Sequence, residues 1–188
     1  MDMKKLVFVL LAFLVGGSMA VESKKLVVYF SRTGENYGVG VIEKGNTEIV
    51  AEIIAGHVGA TLLKVEPVKA YPSGYDECTA VAKKELSAEA RPEVKPASVN
   101  PEDFDEIYVG YPVWWGEMPM PMFTFLEKYN LKGKKIFPFV THEGSGLSGV
   151  KRLEEATGGD VQKGLAVYGH EAQGNRAKVE KAVLKWLK

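Results

Sequence analysis

The sequence LVVYFSRTG at residues 26–34 joins a short run of apolar, mostly β-branched and aromatic residues to a polar segment that ends in glycine. A run of this length and composition is typical of a strand covered on both faces of a parallel sheet. Residues 45–58 follow, with Ile49, Val50, Ile53 and Ile54 at helical spacing. The stretch therefore predicts a strand, a polar turn and a helix, which together form the repeating unit of an α/β fold.

The same unit recurs along the chain. Further strands are predicted at residues 61–65, 107–111, 135–141 and 161–168, and further helices at residues 75–90, 120–129, 145–156 and 173–187. This alternation predicts an α/β three-layer sandwich with a five-stranded parallel sheet, because each crossover must return the chain to the same edge. Pro138 lies inside the fourth strand and cannot donate to a ladder, so we expect its pairing to be disturbed there.

Residues 1–20 are predicted to be a signal peptide rather than part of the fold. Lys4 and Lys5 precede an apolar run at residues 6–15, and small residues follow up to Ala20. We expect cleavage after Ala20 and export, periplasmic or secreted, of a single domain spanning residues 21–188. The apolar run is short for a bilayer span, so no stable membrane insertion is expected after cleavage. A buried first strand or an uncleaved anchor is the alternative.

Composition narrows the classes of partner. The 188 residues carry 24 lysines and arginines against 24 aspartates and glutamates, so the net charge is zero. Nothing in this balance favours nucleic acid or an acidic membrane surface. Cys78 is the only cysteine, which rules out an intramolecular disulfide. His142 and Glu143 are adjacent, but neither His57 nor His170 has ligand spacing to them, so no metal site is predicted.

Ligands of open parallel sheets bind outside the carboxyl ends of the strands, so the segments after the strands are the candidate site. After the first strand, hydroxyls, glycines and a helix N-terminus predict a site for a phosphate monoester. Its candidate residues are Ser31, Arg32, Thr33, Asn46 and Thr47. The loop has neither G-x-G-x-x-G spacing nor a Walker lysine, which disfavours a dinucleotide or a triphosphate. The alternative is a helix cap beside a flexible loop.

Two adjacent tryptophans follow the third strand, in a segment with the candidate residues Pro112, Val113, Trp114, Trp115 and Gly116. A planar ring would stack well on one of the indoles. The alternative places one tryptophan in the core and the other on the surface.

The segment after the fourth strand reads THEGSG at residues 141–146, and its backbone amides and Thr141 are expected to contact the polar edge of a ring. The candidate residues here are Thr141, Gly144, Ser145 and Gly146. Neither Ser145 nor Ser148 has the G-x-S-x-G surroundings of a serine hydrolase, and no catalytic side chain stands out. Three loops at one edge of the sheet would suit a flat ring joined to a monophosphate, and FMN has that shape.

These segments resemble the flavodoxin family, and more narrowly flavodoxin-like proteins with YPxWWG, here at residues 111–116, and THxGSG, here at residues 141–146. The match covers nearly all of the chain after residue 24. The resemblance implies the strand order 2-1-3-4-5 and non-covalent FMN. It implies a phosphate at Ser31, Thr33, Asn46 and Thr47, and an isoalloxazine ring between residues 112–116 and 141–146.

The sequence departs from the family pattern at residues 34–44, which interrupt the usually compact phosphate loop and carry Tyr37, a residue that would cover the flavin or meet a partner. The loop after the fourth strand offers only His142 for stacking. The chain also lacks the strong acidity of typical flavodoxins.

The resemblance implies electron transfer through FMN to a redox partner protein or a small electron acceptor. An NAD(P)H-dependent flavin or quinone oxidoreductase on the same fold is the alternative. A cofactor-free binding module, in which the tryptophans contact a protein, is the third possibility.

Overall fold

The computed structural model describes residues 23–188 of the chain. The predicted signal peptide lies outside these residues, so export stays a prediction.

A parallel sheet forms the middle layer. Its strands are β1 (Lys25–Tyr29), β4 (Thr61–Lys64), β5 (Glu106–Pro112), β6 (Lys135–His142), β7 (Asp160–Val161) and β8 (Leu165–Tyr168). The order is β4-β1-β5-β6, and both β7 and β8 pair with the outer side of β6. Counting β7 and β8 as one interrupted strand, this is the order 2-1-3-4-5, so the fold predicted from the sequence is confirmed.

Pro138 explains why the fifth strand is interrupted between β7 and β8. Strand β6 pairs with β5 without a gap, including Val109 opposite Pro138. On its other side, β6 pairs with β7 only at residues 135–136 and with β8 only at residues 139–142. Proline has no N–H to donate, so the ladder on that side breaks beside it. The expected disturbance is therefore confined to one side of the strand.

Helices cover both faces of the sheet. They are α1 (Asn46–Val58), α2 (Tyr75–Ser87), α3 (Met120–Leu126), α4 (Val150–Thr157), α5 (Gly169–Gly174) and α6 (Arg176–Trp186). Helix α4 begins five residues later than predicted, because Gly146 and Gly149 have φ values of 67° and 81°, outside the right-handed helical region. The last helix is divided at Asn175, whose side chain accepts from the Lys178 amide and begins α6.

Side chains alternate between the two faces of β1. Val28 joins a core with α3 and α4, whereas Val27 joins a second core with α1 and α6. Because both faces are buried, the strand is apolar from Leu26 onward, as expected for a parallel sheet under two helical layers. No helix among residues 23–188 has both the length and the apolar character needed to span a bilayer.

The insert at residues 34–44 folds into an antiparallel hairpin that the sequence analysis did not predict. Its strands are β2 (Gly34–Asn36) and β3 (Gly40–Ile42), and they form a separate two-stranded sheet. The turn between them contains Tyr37 and Gly38, and Gly38 has a φ of 76°. The hairpin leaves the main sheet after β1 and returns to it at α1.

Candidate functional site

A cavity of about 340 Å³ opens at the carboxyl ends of β1, β5 and β6. Its walls include residues from all three predicted loops, so the loops do converge at one edge of the sheet. Nine of the fourteen candidate residues line it: Arg32, Asn46, Pro112, Val113, Trp114, Trp115, Gly116, Thr141 and Ser145. The other five, which are Ser31, Thr33, Thr47, Gly144 and Gly146, do not line it.

The start of α1 is held tightly against the loop after β1. Ser31 is buried, and its Oγ accepts a hydrogen bond from the Glu48 amide at 3.1 Å, so it satisfies one of the free N–H groups of the first helical turn. Gly45 precedes the helix, and a Cβ atom there would overlap Ser31 Oγ and lie 2.5 Å from Arg32 O. This contact requires glycine and leaves the remaining first-turn amides free for an anion.

Thr47 and Thr141 join α1 to β6. Their hydroxyl oxygens lie 2.7 Å apart, and both residues are buried. The Thr47 hydroxyl is therefore already paired inside the protein. Thr33 is exposed at the base of the hairpin. The hydrogen-bond donors that the chain offers to an anion at this end are consequently backbone amides and Asn46 more than hydroxyls.

Arg32 lines the cavity, but its guanidinium group holds the hairpin in place. Nη1 donates to Glu35 O at 2.6 Å, and Nη2 donates to Pro72 O and Ser73 O, each at 2.8 Å. The Glu35 amide also donates to Ser73 O, and the Tyr75 amide donates to Glu35 Oε2. These bonds fix β2 to the start of α2, so the hairpin covers one side of the cavity.

The two tryptophans have different surroundings. Trp114 is partly buried and makes edge-to-face contacts with Phe30 and Tyr71, with ring centroids 5.3 and 5.1 Å apart. Trp115 is 54% exposed, yet its Nε1 donates to Thr79 O at 2.9 Å and Lys83 Nζ lies 4.9 Å from its ring centroid. One tryptophan thus packs on the core and the other lies at the surface, which is the arrangement given above as the alternative to ring stacking. Both tryptophans nevertheless line the cavity.

Trp115 also adopts a φ of 54°, a conformation that a bulky residue rarely takes. Such backbone strain persists only where the surrounding structure imposes it, and it is concentrated at functional sites. Trp115 thus combines a strained backbone with an exposed indole that a hydrogen bond holds in place, and such an indole offers a preformed surface for a ring.

Helix α2 forms a wall of the cavity that the sequence analysis missed. Tyr75, Cys78, Thr79 and Ala82 line it, together with Asn36 and Tyr37 from the hairpin. The sequence predicted a helix at residues 75–90, but none of its residues was among the candidates for the site. The available signal was that Tyr75, Cys78, Thr79 and Ala82 share one helical face. Burial raises the pKa of the Cys78 thiol, so the thiol is neutral at pH 7.

Among the lining residues within 23–188, Arg32 and Glu143 are the only ones of a charged residue type. Arg32 is bonded to carbonyls, and Glu143 is paired with His170: Glu143 Oε1 accepts from the His170 amide at 2.7 Å, and Oε2 lies 2.6 Å from His170 Nδ1. The cavity therefore has little net charge and many neutral polar groups. Within residues 23–188, no three histidine, cysteine, aspartate or glutamate side chains are grouped as a metal site would require.

Comparison with known proteins identifies the family of this chain. The model of the flavodoxin family matches residues 24–187. A protein of Bacteroides eggerthii DSM 20697, described as a flavoprotein, is 29% identical, with a TM-score of 0.69 over 88% of this chain and 96% of that one. A flavoprotein of Lactobacillus acidophilus NCFM, crystallised in complex with FMN, is 23% identical, with a TM-score of 0.63 over 88% of this chain and 99% of that one. No curated protein matches the sequence. Since the family model spans nearly all of the described residues, the chain belongs to the flavodoxin family.

Proposed function

We propose that this chain binds FMN non-covalently in the cavity and transfers electrons through it. The observation that carries the proposal is the convergence of the loops after β1, β5 and β6 on one cavity, with a helix N-terminus at one end and an exposed indole at the other. FMN is the cofactor that the flavodoxin resemblance implies, and the Lactobacillus structural neighbour was crystallised with it.

The residues fit a phosphate at the α1 end of the cavity. The first-turn amides of α1 point outward from the helix, and the helix dipole favours an anion there. Asn46 lines the cavity next to them, and its Oδ1 accepts from Gln173 Nε2 at 2.8 Å, so its own amide N–H groups are oriented by a neighbour. These groups would hold a phosphate without a cationic side chain.

The residues also fit a flat ring at the β5 and β6 end. Trp115 offers a fixed indole face, and Thr141, His142 and Ser145 bring polar groups to the same cavity. Bound FMN would supply one- and two-electron chemistry. The protein would bind the ring, orient it and shield it from water, and these tasks need no catalytic side chain.

Flavin titration tests the proposal. The purified apoprotein should quench FMN fluorescence with saturable, 1:1 stoichiometry, and it should stay yellow after gel filtration. Riboflavin, which lacks the phosphate, should bind more weakly, because it cannot use the α1 end. A chain that elutes colourless and leaves the fluorescence of FMN unchanged would refute the FMN proposal and favour a cofactor-free binding module.

An NAD(P)H-dependent flavin or quinone oxidoreductase is the second candidate. It is favoured by the wall formed by α2 and the hairpin, which extends the cavity beyond the loops expected to hold the flavin. Turnover of NADH or NADPH by the purified holoprotein with a quinone, without an added reductase, would support the enzyme. Reduction only by a separate electron-donor protein would support the carrier.

Export would make FMN binding a late event. The signal carries Lys4 and Lys5 rather than a twin-arginine pair, which suits translocation of the unfolded chain. We infer that the flavin binds after translocation. Fractionation should find a chain beginning at Val21 outside the cytoplasm; a full-length, yellow protein confined to the cytosol would contradict this.

A further inference from the structure

His142 is the last residue of β6, and the family resemblance suggested it only as a stacking residue for the ring. The residue is 9% exposed, and its ring lies 4.5 Å from that of Tyr168, centroid to centroid. This burial and the packing against Tyr168 hold the imidazole in one orientation at the end of the sheet. His142 also lines the cavity.

The tautomer of His142 follows from one hydrogen bond. The Gly144 amide donates to His142 Nδ1 at 2.9 Å. A backbone amide can only donate, so Nδ1 must act as an acceptor and carry no proton. The neutral ring then carries its proton on Nε2.

The charge state is set by the surroundings. Burial lowers the pKa of His142, and the carboxylates of Glu143 and Glu171 offset only part of that effect, while His170 adds to it. The imidazole is therefore neutral at pH 7. It carries an N–H at Nε2, and its Nδ1 already accepts the hydrogen bond from the Gly144 amide.

The Nε2–H group is directed at no acceptor among residues 23–188. In the same part of the chain, every side-chain nitrogen or oxygen that is sealed from solvent does have a hydrogen-bond partner. Nε2 is consequently open to solvent rather than enclosed in the protein, and it belongs to a residue that lines the cavity. A buried ring with one nitrogen fixed and the other free is a preorganised hydrogen-bond donor.

We propose that His142 donates a hydrogen bond through Nε2–H to an acceptor atom at the edge of the bound flavin ring. This inference rests on the proposed FMN site and adds a positioning residue to it. A hydrogen bond of this kind contributes about tenfold in affinity when the donor is already oriented.

Two substitutions and a control test the inference. His142→Leu replaces the imidazole with an apolar side chain and so removes the donor, and it should weaken FMN binding about tenfold. His142→Gln places an amide N–H at similar reach and should stay within about threefold of the wild-type chain. His57→Gln, which alters a histidine paired with Glu180 outside the cavity, should leave FMN affinity unchanged.

The outcomes separate the two proposals. If the wild-type chain binds no FMN, the proposed function itself fails. If the wild type binds FMN and His142→Leu binds equally well, only the His142 inference is overturned. An equal loss in the Leu and Gln variants would also overturn it, since packing rather than the N–H would then be responsible.

A measurement on the apoprotein does not depend on either variant folding. Nitrogen-15 NMR of the imidazole should show His142 protonated at Nε2 and not at Nδ1 at pH 7, and addition of FMN should shift the Nε2 resonance. A ring protonated at Nδ1, or an Nε2 resonance that does not shift when FMN binds, would contradict the inference.

Discussion

Trp114 and Trp115 are neighbours in sequence, but they differ in burial and in backbone conformation. Trp114 packs against Phe30 and Tyr71, so it contributes to the folded state through buried aromatic contacts. Trp115 is 54% exposed, so it buries less of its surface than Trp114, and it holds a strained backbone angle. The two residues should therefore separate stability from flavin binding.

We expect Trp114→Ala to lower the free energy of unfolding of the apoprotein by about 3 kcal/mol, the scale of losing a packed aromatic side chain. Trp115→Ala should change it by less than about 1 kcal/mol, and should instead weaken FMN binding by about 1–3 kcal/mol through lost stacking and buried area. Urea denaturation and fluorescence titration measure the two effects. Unchanged FMN affinity in both variants would exclude the tryptophans as the ring platform.

Helix α1 connects the fold to the phosphate end of the site. Its first turn is positioned by Ser31 and by the close approach of Gly45 to the loop after β1. Gly56 lies in the same helix, is exposed, and a Cβ there would meet nothing within 4 Å. The two glycines provide a matched pair for testing which one the site needs.

Gly45→Ala should destabilise the chain by about 1–3 kcal/mol, because the new methyl group overlaps Ser31 and Arg32 and must displace the start of α1. It should also weaken FMN binding more than riboflavin binding. Gly56→Ala should stabilise the chain by up to about 1 kcal/mol through helix propensity and leave flavin affinity unchanged. Thermal unfolding and flavin titration check both variants. If Gly45→Ala changes neither stability nor flavin affinity, the close contact of Gly45 with Ser31 and Arg32 is not needed.

The hairpin β2–β3 depends on Arg32 for its position. Arg32→Lys keeps the charge but cannot reproduce a planar fork directed at three carbonyl oxygens. We expect amide hydrogen exchange at residues 34–42 to accelerate about tenfold or more, since hydrogen bonds from charged groups contribute about 1.5–3 kcal/mol. FMN should dissociate faster as well.

Lys44→Gln is the control for the Arg32 variant, at the other end of the insert. Lys44 makes an exposed ion pair with Glu52, which contributes little to stability. Exchange in the hairpin and the FMN dissociation rate should both stay near wild-type values. If Arg32→Lys behaves the same way, the hairpin is held by other contacts.

For the whole molecule, FMN binding should be coupled to unfolding. A ligand at 100 times its dissociation constant stabilises a protein by about 2.7 kcal/mol, which raises the Tm of a domain of this size by roughly 5–10 °C. Riboflavin at the same concentration should raise the Tm less, and Trp115→Ala should reduce the shift with FMN. A Tm independent of FMN concentration would exclude a specific site in the folded chain.

Much of the fold was predictable because its signals are local. The apolar runs, the helical spacing of residues such as Ile49 and Ile53, and the position of Pro138 all act within one element or at its immediate partner. The hairpin at residues 34–42 was not predictable in the same way. Its short strands carry no alternating pattern, and contacts with Pro72 and Ser73, some 40 residues away, hold it in place.

By itself, the sequence determined the order of strands and helices and the loops that carry the site, because residues after parallel strands must emerge at one edge of the sheet. Only the tertiary structure decided which tryptophan packs and which is exposed, that α2 forms a wall of the cavity, and that Arg32 is bonded to carbonyls. It also decided the free nitrogen of His142, through the burial of the ring and the loop geometry that brings the Gly144 amide to it. These features depend on how whole elements pack and turn against one another, and residue spacing along the chain does not encode that geometry.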